Sequence, residues 1–169
     1  MAGYQKHIGF GIFFYVIFTI MLYHFLKPSP LLMVELLCVT IFGSLFPDID
    51  IKSKGQYVLY VMLCIMTMPL YYLGYEQCII WILWCALIPH IVKHRGIFHN
   101  PLFLGLMLIV IWCTIHCINH AFSYFLLPHF FYFFGGNCSH LILDYGFYEF
   151  LQRLQGKKHK KSHYLFKKK

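Results

Sequence analysis

The chain has 169 residues, of which 60% are hydrophobic and 20% aromatic, against only 12% charged. A soluble domain of this size has too little interior to hide so much apolar surface, so lipid must cover it. The formal net charge of +8 does not point to nucleic acid, because seven of the fourteen Lys and Arg lie in the last thirteen residues, where anionic lipid headgroups are the natural partner.

The first apolar run, Ile8 to Leu26, lies between Lys6 and the turn Lys27-Pro28-Ser29-Pro30. It is too long for a signal-peptide core and lacks a small-residue cleavage site, which predicts a retained membrane helix. The second run, Leu31 to Phe46, ends where Pro47 stops the helix and the polar stretch Leu45 to Gln56 (LFPDIDIKSKGQ) takes over. The third covers Tyr57 to Leu73, and the turn Gly74-Tyr75-Glu76-Gln77 separates it from the fourth, Cys78 to about Val92. After the polar segment Lys93 to Pro101, the fifth run spans Leu102 to Ile118. The sixth, from near Ala121 to Leu143, is expected to be interrupted at Pro128 and at Gly135-Gly136. Several runs fall short of the roughly 20 residues of a perpendicular span, so short or re-entrant segments are expected. The fold class is therefore all-α: a polytopic membrane protein of about six spans, with a membrane-embedded domain over 1–150 and a basic tail over 151–169. The seven cysteines lie mostly within apolar runs and show no paired spacing, as expected of small core residues rather than a disulfide framework.

Charge asymmetry orients the spans. With six of them, both termini share a side with the loops after spans two and four. That side collects Lys6, Lys52, Lys54, Lys93, Arg95, Arg153 and the lysine tail, and the other holds only Lys27. By the positive-inside rule the termini are cytoplasmic.

The scarce polar residues fall on the same side. His7 precedes span one, Asp48 and Asp50 follow span two, His94 and His99 follow span four, and His140 and Asp144 close span six. Asp48 and Asp50 point the same way if their segment is extended, and suit a divalent cation or general-base work. His140 and Asp144, four apart, share a helix face and can ligate one metal, or the aspartate can orient the histidine. His94 and His99 would not share a helix face, but Gly96 allows the backbone to turn between them. Ionisable residues at membrane depth are costly, and default to a functional reading.

The ordered segments LFPDIDIKSKGQ, HRGIFHNPLF and GGNCSHLILDYG resemble the membrane-bound metal-dependent hydrolase family, whose best-known member is a LexA-regulated bacterial inner-membrane protein. On that resemblance His7 matches an N-terminal histidine, and Asp48 and Asp50 match a PDID loop. His94, Arg95, Gly96 and His99 match an HRG-x-x-H segment, while Ser139, His140 and Asp144 match SH-x-x-x-D. The chain departs from the pattern at Ile51, where the family commonly has His, and at Phe98 and Asn100, where hydroxyl residues flank the histidine. It also lacks a Trp-Pro segment after Tyr145. The resemblance implies a bacterial-type inner membrane location and hydrolysis assisted by a divalent metal bound to His7, Asp48, Asp50, His94, His99, His140 and Asp144.

Zinc is the first expectation for that ion, with manganese or magnesium as alternatives given the carboxylates. Asp48 or Asp50 is the candidate base, and the paired donors of Arg95 suit a phosphate. A site at headgroup level would meet a phospholipid or a lipid-linked phosphoester first. The alternatives are a metal or proton transporter and a structural membrane protein that holds a metal for folding. His24, His90 and His129 read as packing or interface residues. Cys113, His116, Cys117 and His120 cluster at the far end of span five; His120 lies on the order of 30 Å from His99 along a helix, too far to join the main site.

Overall fold

The computed structural model describes residues 3–48, 54–72, 74, 76, 79, 80, 83 and 99–155, and among them every regular element is helical. Helix α1, Tyr4–Leu26, is long enough at about 35 Å to cross a bilayer. It stops where Lys27 turns into the left-handed region (φ 39°) and gives its N–H to the Tyr23 carbonyl. Two residues later Ser29 caps α2, Pro30–Leu45, by accepting from the Leu32 N–H at 3.2 Å, and Pro30 fills the first helical position, where no N–H is missed. A single 3-10 turn, Phe46–Asp48, follows and contains the Pro47 that was expected to end the helix.

Helix α3 covers Lys54–Tyr72. Helix α4, Pro101–Ile118, repeats the α2 start: Asn100 Oδ1 accepts from the Leu102 N–H at 3.0 Å, and proline again stands first. Asn119 ends α4 and caps α5, His120–Tyr145, making a tight helical hairpin. At Gly146 (φ 80°) the backbone adopts a conformation that side chains disfavour, and the chain turns into α6, Phe147–Leu154.

Helix α5 is the hub, packing on α1, α2, α4 and α6. The expected interruption at Pro128 and Gly135-Gly136 does not occur, and the helix runs unbroken through all three. Proline removes one backbone bond, which a helix packed on several sides can absorb. The two glycines serve close approach instead of a break. A Cβ on Gly136 would collide with the Thr40 carbonyl, and one on Gly43 of α2 would collide with the Phe133 carbonyl, so the pair lets the α2 and α5 backbones nearly touch.

Among the described residues three stretches are long and apolar enough to cross a membrane: Tyr4–Phe25, Pro30–Asp48 and Pro101–Ile118. The described apolar stretch of α3, Lys54–Ile65, is shorter. Helix α5 has the length but carries a polar series (Ser123, His129, Asn137, Ser139, His140, Asp144) that lowers its hydropathy. The expected fourth run, Cys78 to Val92, lies mostly outside the described residues. Large apolar side chains stand open on the outside, among them Phe25, Ile20 and Val110, as a lipid-facing surface requires. The five described cysteines are all free thiols.

Candidate metal centre

Four separate helix ends bring the site together. His7 lies in the first turn of α1, Asp48 just beyond the end of α2, His99 immediately before the Asn100 cap of α4, and His140 and Asp144 in the last two turns of α5. These ends meet at one end of the bundle, which is how residues up to 137 positions apart become neighbours. Asp48 Oδ1 lies 3.8 Å from His99 Nε2 and 3.7 Å from His140 Nε2. Asp144 Oδ2 lies 3.5 Å from His140 Nε2, and its Oδ1 lies 3.6 Å from His7 Nε2. The rings of His7 and His140 stack at 4.0 Å, and that of His99 stands edge-on to His140 at 5.8 Å. All three histidines are at most 1% exposed.

The orientation of His140 is informative. Its Nδ1 lies 2.8 Å from the Ser44 carbonyl oxygen, which can only accept, so Nδ1 carries the proton. In the neutral ring Nε2 is then a lone pair, and it faces the oxygens of two carboxylates. Among the described residues, His140 Nε2, Asp48 Oδ1 and Asp144 Oδ1 are buried without a hydrogen-bond partner. Converging acceptors that are hidden from water repel one another and are desolvated, an arrangement that asks for a cation between them.

The donor set fits a divalent ion. One ligand atom each from Asp48, His99, His140 and Asp144 lies within 4.8 Å of all the others. Donors bound to zinc at about 2.1 Å in a tetrahedron stand roughly 3.4 Å apart, close to the nearest separations found here. Two carboxylates would balance the charge of such an ion, and the Ser44 carbonyl would hold the His140 ring in the tautomer that binds through Nε2.

Of the residues expected from sequence, the structure brings together His7, Asp48, His99, His140 and Asp144, with His7 flanking the four-donor group through Asp144. Asp50, His94, Arg95 and Gly96 lie outside the described residues. Ser139 is buried but donates to the Gly136 carbonyl at 2.7 Å, within its own helix. Asn100, standing where the family resemblance expects a hydroxyl, keeps the helix-capping role beside His99.

Three contacts, two at the site and one along α5, were not legible. Ser44 acts through its backbone carbonyl, which no side-chain pattern reports. Arg153 of α6 reaches back to donate to the His99 carbonyl at 3.4 Å. Glu35 lies 3.5 Å from His129 across α2 and α5, so the imidazole expected merely to pack has a carboxylate partner. The far cluster is a separate assembly, with His116 and His120 rings 4.2 Å apart and Cys113 and Cys117 exposed.

Fold and site together define a helical membrane protein with a buried imidazole–carboxylate cluster at one end of its bundle. The chain belongs to the YdjM inner membrane protein family, whose model matches residues 1–148. Comparison with curated proteins and with solved structures finds no match.

Proposed function

We propose that the protein is a membrane-bound metal-dependent hydrolase acting at the cytoplasmic membrane surface on a phospholipid or lipid-linked phosphoester. The observation that carries this reading is His140, whose Nε2 lone pair faces Asp48 and Asp144 while its proton is held by Ser44. Zinc suits the imidazoles best, and manganese or magnesium would suit the carboxylates. Such an ion supplies Lewis acidity and makes water a stronger acid.

The chain's own residues do the rest. Asp48, His99, His140 and Asp144 would hold the ion. His7, 3.6 Å from Asp144, orients that carboxylate or adds a further nitrogen donor. The Asp48 side chain is the more open of the two carboxylates, 21% exposed against 8% for Asp144, and is the better placed to take a proton from water. Asp50 and Arg95, which lie outside the described residues, would serve as second carboxylate and phosphate clamp. The topology we favour keeps six spans with both termini cytoplasmic, supported by the lysine-rich tail and loops.

Elemental analysis of detergent-purified protein beside a His140→Ala variant tests the metal reading. Near-stoichiometric zinc or manganese in the parent, lost in a variant that still folds, supports it and justifies screening lipid phosphoesters for released phosphate. A parent that takes up no metal after reconstitution sinks it.

The Glu35–His129 pair favours a second reading, a proton or metal transporter. His129 and His140 lie eleven residues, about three turns and 16 Å, apart on one face of α5, so titratable groups occur at two depths. Proton uptake by proteoliposomes that is abolished in Glu35→Gln would favour transport; no uptake by the parent would remove it.

A further inference from the structure

Helix α6 packs on α4 and α5 beside the cluster. In α6, Phe147, Tyr148 and Leu151 stand open, with Phe147 63% and Tyr148 74% exposed, while Phe150 is buried against the bundle. An open apolar side of this kind suits a helix lying along a membrane surface. Arg153 turns the other way. Its guanidinium carbon lies 3.7 Å from the centre of the Tyr145 ring, and Nη1 donates to the His99 carbonyl at 3.4 Å. Tyr145 directly follows Asp144, and its ring stands 6.4 Å from that of His99. A cation is thus held against the neighbours of two candidate ligands.

Its chemistry is only partly used. A guanidinium has five N–H donors, and stacking on a ring occupies its face and leaves its edges. Among the described residues Arg153 makes one hydrogen bond, a long one, and no ion pair with a carboxylate. A divalent ion would balance Asp48 and Asp144, so neither of these carboxylates would be left to neutralise Arg153. Residue 153 lies beyond the region the family model matches.

We propose that Arg153 is an anion-recognising residue of this site, in addition to Arg95, selecting a ligand that carries a phosphate, free or on a lipid headgroup. The proposal rests on the metal-hydrolase reading above. Planar paired donors suit phosphate oxygens, and the stacking on Tyr145 fixes the plane in advance.

The test uses full-length protein in detergent, with metal content measured first and then titration calorimetry. The probes are inorganic phosphate, dihexanoyl phosphatidic acid and, as the uncharged control, dihexanoylglycerol. Arg153→Gln keeps a planar donor for the His99 carbonyl and removes the charge. It is expected to bind the phosphate-bearing probes about tenfold more weakly, with parental metal content, melting temperature and response to dihexanoylglycerol. Loss confined to the lipid probe would identify a headgroup as the source, and loss confined to inorganic phosphate a free anion; both support the proposal. Equal phosphate affinity at equal metal content overturns it and leaves the metal reading standing. A parent without metal overturns both. If Arg153→Gln does not fold, Arg153→Lys decides: weakening of about threefold at parental metal content supports the paired-donor role, and unchanged affinity overturns it.

Discussion

Both ends of the α4–α5 hairpin are rich in histidine, yet the rings face different partners. At the far end His116 Nδ1 lies 2.8 Å from Ser123 Oγ, whose own proton goes to the His120 carbonyl at 2.7 Å. His116 also stacks on Trp112, and the Trp112 indole N–H donates to the Ser123 carbonyl. Among the described residues, hydroxyls, carbonyls and ring faces partner these groups, with no carboxylate. At the near end the buried Nε2 of His140 faces two carboxylates. Histidine count is the same kind of signal in both places; what distinguishes a metal centre is the acceptor facing the ring nitrogen.

That contrast can be broken most sharply by deleting ligands at each end. His140→Ala is expected to lower metal affinity by more than about 100-fold, beyond the loss typical of an outer-sphere partner, while His116→Ala/His120→Ala keeps the parental load. Elemental analysis after dialysis reads both, and metal lost from the far-end variant would reverse the assignment.

Glycines give the next largest effect. Gly136→Ala should destabilise by about 1–3 kcal/mol, because its Cβ meets the Thr40 carbonyl and cannot turn away. Gly9→Ala, with open space around it, should be neutral or stabilising by up to about 1 kcal/mol. Thermal melts in one detergent compare them, and equal melting temperatures would refute the close α2–α5 contact. Ser123→Ala should cost about 1 kcal/mol through the lost His116 partner and leave metal content unchanged.

The helix caps give the smallest and most selective contrast. Ser29→Ala and Asn100→Ala each remove one capping bond and should each cost about 1 kcal/mol. Only Asn100→Ala, next to His99, should also weaken metal binding, by a few-fold in competition with a chelator. Identical metal affinities for the two variants would separate the cap from the site.

Much of the site was legible because it is built from helix ends. His7, Asp48, His99, His140 and Asp144 all flank apolar runs, and the expected six-span topology together with the family resemblance grouped them, along with Asp50 and His94, on one side. The i,i+4 spacing of His140 and Asp144 likewise placed both on one face. Less visible was anything that depends on backbone atoms or on interhelical register. The Ser44 carbonyl that sets the His140 tautomer belongs to a residue whose side chain donates within its own helix, to Ile41. The pairing of Glu35 with His129 needs the α2–α5 register, which Gly43 and Gly136 fix only once the helices touch. Pro128 misled for a related reason: local propensity argues for a break, and packing on several neighbours keeps the helix whole.

The central claim, that a divalent ion sits among Asp48, His99, His140 and Asp144, is tested most directly by X-ray absorption at the metal edge of the reconstituted protein. The account predicts a shell of nitrogen and oxygen donors at about 2.0–2.2 Å, with outer scattering from imidazole rings and no sulfur. A sulfur shell at about 2.3 Å would move the metal to cysteines such as Cys113 and Cys117, and would contradict the assignment of the centre to the near end.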